Sequence, residues 1–577
     1  MSKSLSPASR NYVSWGLPLL LFVVALGLRL IGIGWGLPND KHTETYHPDE
    51  AMIWSYSQHI DPVHLEFTPG FYNYGTLYLT ALNITSDMTA AYTGGYDTQK
   101  PETIWQYIGR CELAGRILSA IAGAGMALVV FFMLRRLVND FGATCGALCV
   151  AFAPGHVVHS RFQTVDILAA FLLTVSAFYA LQFATKDGET PKRSDVKLAI
   201  LSGVFAGLSA GTKYTGVLCL VTLFTVLILT RRTNWVRLFL IGIGCALLAF
   251  LITTPGAILD NANFLRDFIF EMQHTSEGHG LVFEGTSSGF IYQLSNLFLG
   301  IGIILSLMGM GGLAAAGIRK HAWAIGLAAF FVLYYLLIGR AEVKFLRYTF
   351  PLYLGIGVGF GWLMAKAREK GEKWHLLVGL GILGLGGVDM GGLRGAALYT
   401  SWMAAPDPRD AAGDYLRGKD VAIGVATDPW FYSPSFHPDL GRRLDYSPQS
   451  GIGNHKFEHF LPAILQYTQP KIDRYIPVEN GLVVVKDRTD WDIRLLEEQK
   501  PDYVVYSSFE TENLENLSHG TNLSPTADAI VRQWKAFLDK LRVDYAPDRQ
   551  FGPGGEIVHD MMYVQPTIWV WKRKGTP

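Results

Sequence analysis

The residues best able to do chemistry sit in one stretch, Tyr46-His47-Pro48-Asp49-Glu50, where two adjacent carboxylates follow a histidine and a proline. A carboxylate at the edge of a low-dielectric region can exchange a proton with a reacting group. The same residues also suit a plainer role. Pro48-Asp49-Glu50-Ala51 opens a helix well, with proline in the first turn and acidic side chains at the positive end of the dipole. The pattern predicts a helix running through Trp54 and Tyr56. A second set of candidates is charged and lies in or beside apolar runs: Arg29, Arg116, Arg161 with Asp166, Lys213, and the cluster Arg340, Glu342, Lys344 and Arg347. An ion next to hydrocarbon is costly unless paired or hydrated, so each marks a site or a structural ion pair. For Arg29 and Arg340, snorkelling to the lipid head groups is the simplest account. Arg116 and Lys213 are flanked by Gly and Ala, which let neighbouring helices close around them.

The elements that must position these residues are set by composition. The chain has 577 residues, half of them hydrophobic, and 49 basic side chains balance 49 acidic ones, so no nucleic-acid partner is expected. Apolar runs lie near 13–34, 112–134, 141–159, 165–184, 196–211, 213–230, 235–255, 289–317, 321–339, 349–366 and 374–394. Counted as runs able to cross roughly 30 Å of hydrocarbon, they predict about eleven spans. The first run follows Lys3 and Arg10, is too long for a signal-peptide core and lacks a clear small-residue cleavage site, and is read as an uncleaved span.

Bare positive charge concentrates at Arg135-Arg136, from Lys186 to Lys197, from Arg231 to Arg237, at Arg319-Lys320 and from Lys366 to Lys373. These segments alternate along the chain and, with the basic N-terminus, define a cytoplasmic face. The loops 35–111 and 256–288 and everything after Ser401 are then expected outside. The expectation is a multi-pass plasma-membrane protein with a cytoplasmic N-terminus, a transmembrane domain over 1–400 and a soluble extracytoplasmic domain over 401–577. Cys111, Cys145, Cys149, Cys219 and Cys245 all lie in or at the ends of apolar runs, so no disulfide framework holds the exported parts. That usage fits a prokaryotic plasma membrane.

In the first exported loop, Phe67-Thr68-Pro69-Gly70-Phe71-Tyr72-Asn73-Tyr74-Gly75-Thr76-Leu77-Tyr78 interleaves aromatics with Pro and Gly, which suits the membrane interface and would hold the acidic pair near it. After Ser401, β-branched runs at 421–426, 503–506 and 567–571 alternate with helical patterns at 408–417 and 526–542, so a small mixed α/β domain is expected. The insert from Asp428 to Lys500 is rich in Pro, Tyr and His and suits either a cap over the site, an acceptor contact or a plain loop.

His47-Pro48-Asp49-Glu50, the aromatic run from Phe71 to Tyr78, Arg116-Ile117-Leu118-Ser119, Thr164-Val165-Asp166, Gly211-Thr212-Lys213-Tyr214 and Arg347-Tyr348-Thr349-Phe350-Pro351 follow one another in an order that resembles the GT-C superfamily of membrane glycosyltransferases. The likeness is to the phospholipid-carrier-dependent group that includes protein O-mannosyltransferases and aminoarabinose-lipid A transferases. It covers the membrane part and extends loosely to Asp407-Pro408-Arg409-Asp410-Ala411-Ala412, which looks like the helix opening that group's exported domain.

The resemblance implies a polytopic helical fold and inverting transfer of a sugar from a polyprenyl-phosphate donor to a protein, lipid or glycan acceptor on the outer face. It implies Asp49 as base, Glu50 as an orienting or proton-sharing partner and Asp166 as a further catalytic carboxylate. Arg116, Lys213, Arg347 and Tyr348 would bind the lipid phosphate, where positive charge meets the leaving group. His47, Arg161 and Lys344 would support them. One departure is Glu342-Val343-Lys344-Phe345, where the family often has another basic residue or His, so Lys344 either assists or pairs with Glu342. Asp49, Glu50, Asp166 and His47 are types that can hold a divalent metal, but this branch generally needs none, and no cofactor is expected. Competing readings are a lipid-diphosphate oligosaccharyltransferase or ligase, a non-catalytic carrier-binding protein, and a transporter. The last should show paired repeats with charges near the midplane rather than at one face.

Overall fold

A computed structural model describes residues 15–39, 42, 45–95, 104–185, 193–232, 234–417, 419, 421–427, 430–434, 442–444, 490–520, 523–554 and 559–575. Most of the insert 428–500 therefore lies outside the described residues.

Up to Ala404 the described chain is helical. Five helices are long and apolar enough to cross a membrane: Ile104–Arg135, Val165–Thr185, Trp235–Thr253, Ala322–Gly339 and Leu346–Glu369. A sixth span results if Gly289–Ile301 and Ile303–Ile318, bent by 110° at Gly302, are taken together. Gly16–Leu30, Asp140–Ala151 and Tyr214–Leu229 are shorter apolar helices. This is a multi-pass membrane protein, but eleven spans are not confirmed. Apolar composition does not say where a helix breaks: the run at 141–159 is cut where Pro154 starts a new helix, and the run at 289–317 is cut at Gly302, whose φ of 115° is open to glycine alone.

Two loops are shaped by local chemistry that bears on the site. The helix Pro48–Ser57 forms as expected, and its cap is His47, whose Nδ1 accepts a hydrogen bond from the Asp49 amide at 3.3 Å. The aromatic run leads into the helix Leu77–Thr93 and is pinned to the Lys213 segment. The Leu77 amide donates to the Gly211 carbonyl at 2.9 Å, and Tyr214 Oη donates to the carbonyls of Tyr72 at 2.7 Å and Tyr74 at 3.0 Å. Gly75 permits this approach, because a Cβ there would overlap the Gly211 carbonyl.

After Ala404 the expected mixed α/β unit is present. Strands β1 (Ala422–Val425), β2 (Arg442–Leu444), β3 (Tyr503–Ser507), β4 (Tyr545–Phe551) and β5 (Ile568–Arg573) form one sheet in the order β2-β1-β3-β5-β4. β1 is parallel to β2 and β3, and β5 is antiparallel to β3 and β4. Alternate residues of β3 face opposite cores: Tyr503 and Val505 pack with Ala412 and Leu416, Val504 and Tyr506 with Trp534 and Phe537. The helices Pro408–Leu416 and Pro525–Asp544 thus cover the two faces.

This sheet unit is joined to the helical bundle by more than the chain. Asp407 caps its helix, pairs with Arg409 at 2.7 Å and accepts from Trp35 Nε1 at 2.9 Å. The Arg409 guanidinium lies 3.7 Å from the Tyr46 ring centroid, and Tyr46 Oη donates to Asp410. The motif expected only to open a helix therefore grips the loop that leads into His47. The bundle core also runs on without a break into Phe431, Phe509 and the stretch from Met561 to Val564.

Candidate functional site

Arg347 stands where the candidate residues meet. It lies in the short 3-10 turn Leu346–Leu352, and its guanidinium is stacked 3.9 Å from the Phe345 ring centroid. Three carboxylates surround it: Asp49 Oδ2 at 3.2 Å from Nη2, Asp166 Oδ2 at 3.9 Å from Nε, and Asp560 Oδ1 at 3.5 Å from Nη1. Asp166, in the first turn of the helix Val165–Thr185, also accepts from Lys213 Nζ at 2.6 Å. That ammonium sits 4.4 Å from the centroid of the Tyr348 ring, so the tyrosine meets the lysine through its face. Asp49, Asp166, Lys213, Arg347 and Tyr348, far apart in sequence, are thus gathered into one constellation.

Of the carboxylates, Asp49 is the open one. Its side chain is 22% exposed, against 6% for Asp166, 1% for Asp560 and 0% for Glu50. Asp166, Lys213 and Arg347 line a narrow cleft together with Ala169, Leu173, Ser209, Thr215, Tyr334 and Pro351.

Glu50 and Arg116 do not join this cleft. Arg116 Nε and Nη2 donate to the two Glu50 oxygens at 2.7 and 2.6 Å, and both side chains are fully buried. Glu50 further accepts from Thr45 Oγ1 at 2.7 Å and from the Gln163 amide at 2.7 Å, while Arg116 Nη1 donates to the carbonyls of Ile33 and Trp35. Gly115 makes room for the Gln163 side chain, which explains the small residue beside Arg116. The structure engages these two residues with each other and with their neighbours, where the resemblance implied an acceptor contact for Glu50 and a phosphate contact for Arg116.

The supporting residues are also specific in what they touch. Burial, opposed by the Glu50 carboxylate, holds the His47 imidazole down at about 3, so it stays neutral and caps the Asp49 helix rather than carrying protons. Its ring packs between Phe162 and Tyr563. Arg161 is buried away from the cleft, donating to the Leu28 carbonyl and to Thr400 Oγ1, and ties two helices together. Arg29 is fully buried too, bonded to Ser160 Oγ at 3.1 Å and His156 Nδ1 at 2.9 Å, so it does not snorkel. Lys344 pairs with Glu342 at 3.3 Å and donates to Thr286 Oγ1 and the Ser287 carbonyl, the second of its two expected roles.

Among the described residues no group of three His, Cys, Asp or Glu side chains is arranged to hold a metal ion. The carboxylates considered for one are each answered by a cation: Asp49 by Arg347, Asp166 by Lys213 and Arg347, Glu50 by Arg116.

Asp560 is the residue that sequence reasoning missed. It lies in the short helix His559–Met562, beside Met561 and Met562, with no recognisable spacing to anything else. Its neighbour His559 shares a 2.8 Å contact with Glu512. Burial works against a charge on His559, but Glu512 and Asp560 outweigh it and raise its pKa.

The architecture is the polytopic helical fold that the motif order implied. Residues 103–258 match the family model for dolichyl-phosphate-mannose-protein mannosyltransferase. No curated protein matches the sequence. The crystal structure of ArnT from Cupriavidus metallidurans bound to undecaprenyl phosphate superposes with a TM-score of 0.50 at 14% identity, covering 97% of this chain and 98% of that one. The archaeal oligosaccharyltransferase AglB from Archaeoglobus fulgidus, in complex with an inhibitory peptide and a dolichol-phosphate, superposes with a TM-score of 0.51 at 12% identity, covering 90% of this chain and 72% of that one. The chain shares the GT-C fold with both.

Proposed function

We propose that the protein is an inverting glycosyltransferase that moves a sugar from a polyprenyl-phosphate carrier to an acceptor hydroxyl on the extracytoplasmic side of the membrane. The observation that carries this reading is the gathering of two cations, Lys213 and Arg347, with Asp166 along one cleft, and the partly exposed carboxylate of Asp49 on Arg347. In this reading the residues after Ser401 form an exported domain and those before it carry the lipid-facing chemistry.

The acceptor O–H gives its proton to Asp49, and its oxygen forms a bond to the anomeric carbon from the face opposite the phosphate. The bond from that carbon to the phosphate oxygen breaks, leaving its electron pair on the lipid phosphate, and one displacement inverts the centre. No general acid is needed, since the leaving phosphate is already a stable anion. What it needs is fixed positive charge, supplied by Lys213 and Arg347. Arg347 pairs with Asp49 at 3.2 Å, and a lipid phosphate that competes for the guanidinium leaves Asp49 free to act as base. Asp166 holds both cations in place, Tyr348 supports Lys213, and Glu50 with Arg116 holds the Asp49 helix at the correct height.

The test is sugar release from a panel of polyprenyl-monophosphate and polyprenyl-diphosphate sugars by wild type and Asp49→Asn in nanodiscs, with and without a chelator. Turnover lost in the variant while lipid phosphate still binds supports the reading. An unaffected variant removes Asp49 from its role, and turnover confined to diphosphate donors or abolished by the chelator replaces this reaction with the metal-dependent oligosaccharyl one.

A further inference from the structure

The helical bundle does not complete the site by itself. Asp560 belongs to the sheet unit, yet its carboxylate meets Arg347 twice: Oδ2 accepts a hydrogen bond from the Arg347 amide at 3.0 Å, and Oδ1 stands 3.5 Å from Nη1, an ion pair without a hydrogen bond. One buried side chain thereby binds the backbone and places its charge beside the guanidinium of the residue that bridges Asp49 and Asp166. A carboxylate in an apolar stretch, 1% exposed, is costly unless it is answered, and Arg347 is the cation that answers it. His159, also buried, is the next polar group, with Nε2 4.0 Å from Asp560 Oδ2.

General attachment of the sheet unit is provided elsewhere. Asp407, Arg409 and Asp410 grip Trp35 and Tyr46, and Arg409 donates to the carbonyls of Phe431 and Tyr563 at 2.7 Å. The Asp560 contact is therefore not needed simply to keep the two parts together. Its effect is angular. Asp49, Asp166 and Asp560 each face a different nitrogen of one planar guanidinium stacked on Phe345, so removing Asp560 takes away one of the three anions that set its angle and biases it toward the other two.

We infer that Asp560 is a positioning residue for the transfer reaction: from the C-terminal unit it aims the Arg347 guanidinium at the space between Asp49 and Asp166. The kinetic consequence rests on the glycosyl-transfer reading, whereas the Asp560 to Arg347 linkage does not.

The experiment compares Asp560→Asn, Asp560→Glu and the attachment control Asp410→Asn in nanodiscs, reading kcat, donor KM and the thermal midpoint. Asp560→Asn is expected to lower kcat by about ten- to a hundredfold with little change in donor KM or midpoint, because a misaimed group slows the chemical step more than binding. Asp560→Glu recovers part of the loss, and Asp410→Asn leaves kcat near wild type. Wild-type kcat in Asp560→Asn overturns the inference, as do parallel losses of kcat and midpoint in Asp560→Asn and Asp410→Asn. If the wild type turns over no donor, the glycosyl-transfer reading fails and a double-mutant cycle of Asp560→Asn with Arg347→Gln on the thermal midpoint decides alone. Non-additive shifts support the linkage, and additive shifts overturn it.

Discussion

Glu50 and Arg116 form a closed bidentate pair at 2.6–2.7 Å with neither side chain exposed, one residue away from the carboxylate proposed as base. Adjacent acids in one motif therefore have opposite characters. Asp49 is partly exposed and shares the Arg347 cation, while Glu50 faces inward and joins the loop to the helix Ile104–Arg135.

Breaking the inner pair leaves a buried charge unanswered, which costs about 3–5 kcal/mol. Arg116→Met and Glu50→Gln are each expected to lower the thermal midpoint and the yield of folded protein. The double variant should recover much of the loss, since no lone ion remains. Differential scanning fluorimetry on the purified proteins reads this directly, and single variants as stable as wild type would show that the pair is not structural.

Asp49→Asn should behave in the opposite way. The side chain is partly exposed and its ion pair with Arg347 is one of three, so the midpoint should hardly move. Loss of the base should nevertheless lower kcat by about 10²–10⁴-fold. A fall in kcat that tracks a fall in midpoint would place Asp49 with Glu50 as a structural residue.

Lys213 and Tyr348 can be separated by ring and hydroxyl. The ammonium rests on the face of the Tyr348 ring, so Tyr348→Phe keeps the contact and should retain most activity. Tyr348→Ala removes it, at a cost of roughly 0.5–2 kcal/mol. Lys213→Gln takes charge from the leaving phosphate and should reduce kcat by about 10²–10³-fold. Activity lost equally in Tyr348→Phe and Tyr348→Ala would instead assign the hydroxyl a direct contact with substrate.

What could be read from sequence was local. The cap and first turn at His47-Pro48-Asp49-Glu50, the strands around Val504 and Val570 and the helix after Asp407 follow from residue type and short spacing, and all are present. That Arg116 would be enclosed was also legible, from the glycine beside it, whereas Lys213 stays partly exposed. Which partner encloses Arg116 was not. Arg116 meets Glu50 and Arg347 meets Asp560 across 66 and 213 positions of sequence, and no periodicity links such pairs. Arg29 looked able to reach the interface, but its partner Ser160 comes from a distant segment whose approach depends on Gly123, where a Cβ would overlap the serine. Where an apolar run breaks was not legible either, since the helix break at Gly302 is a backbone choice within an unbroken apolar run.

The pH response of the C-terminal unit should come in part from His559. Burial opposes its charge, but the carboxylates of Glu512 and Asp560 prevail, so its folded pKa lies above the ordinary 6.5. The folded state then binds the proton more tightly than the unfolded chain, and stability falls wherever the unfolded state holds fewer protons. The contribution is fully present below 6.5 and is lost as pH rises through the folded pKa. Glu512→Gln removes the nearest carboxylate, 2.8 Å from His559 Nδ1, and should flatten this segment of the curve while lowering stability mainly on the acidic side. Thermal midpoints of wild type and Glu512→Gln, taken between about pH 5 and 9 to bracket the ordinary histidine range, read the difference. A variant curve parallel to wild type would mean that His559 stays neutral throughout and that its contact with Glu512 is an uncharged hydrogen bond.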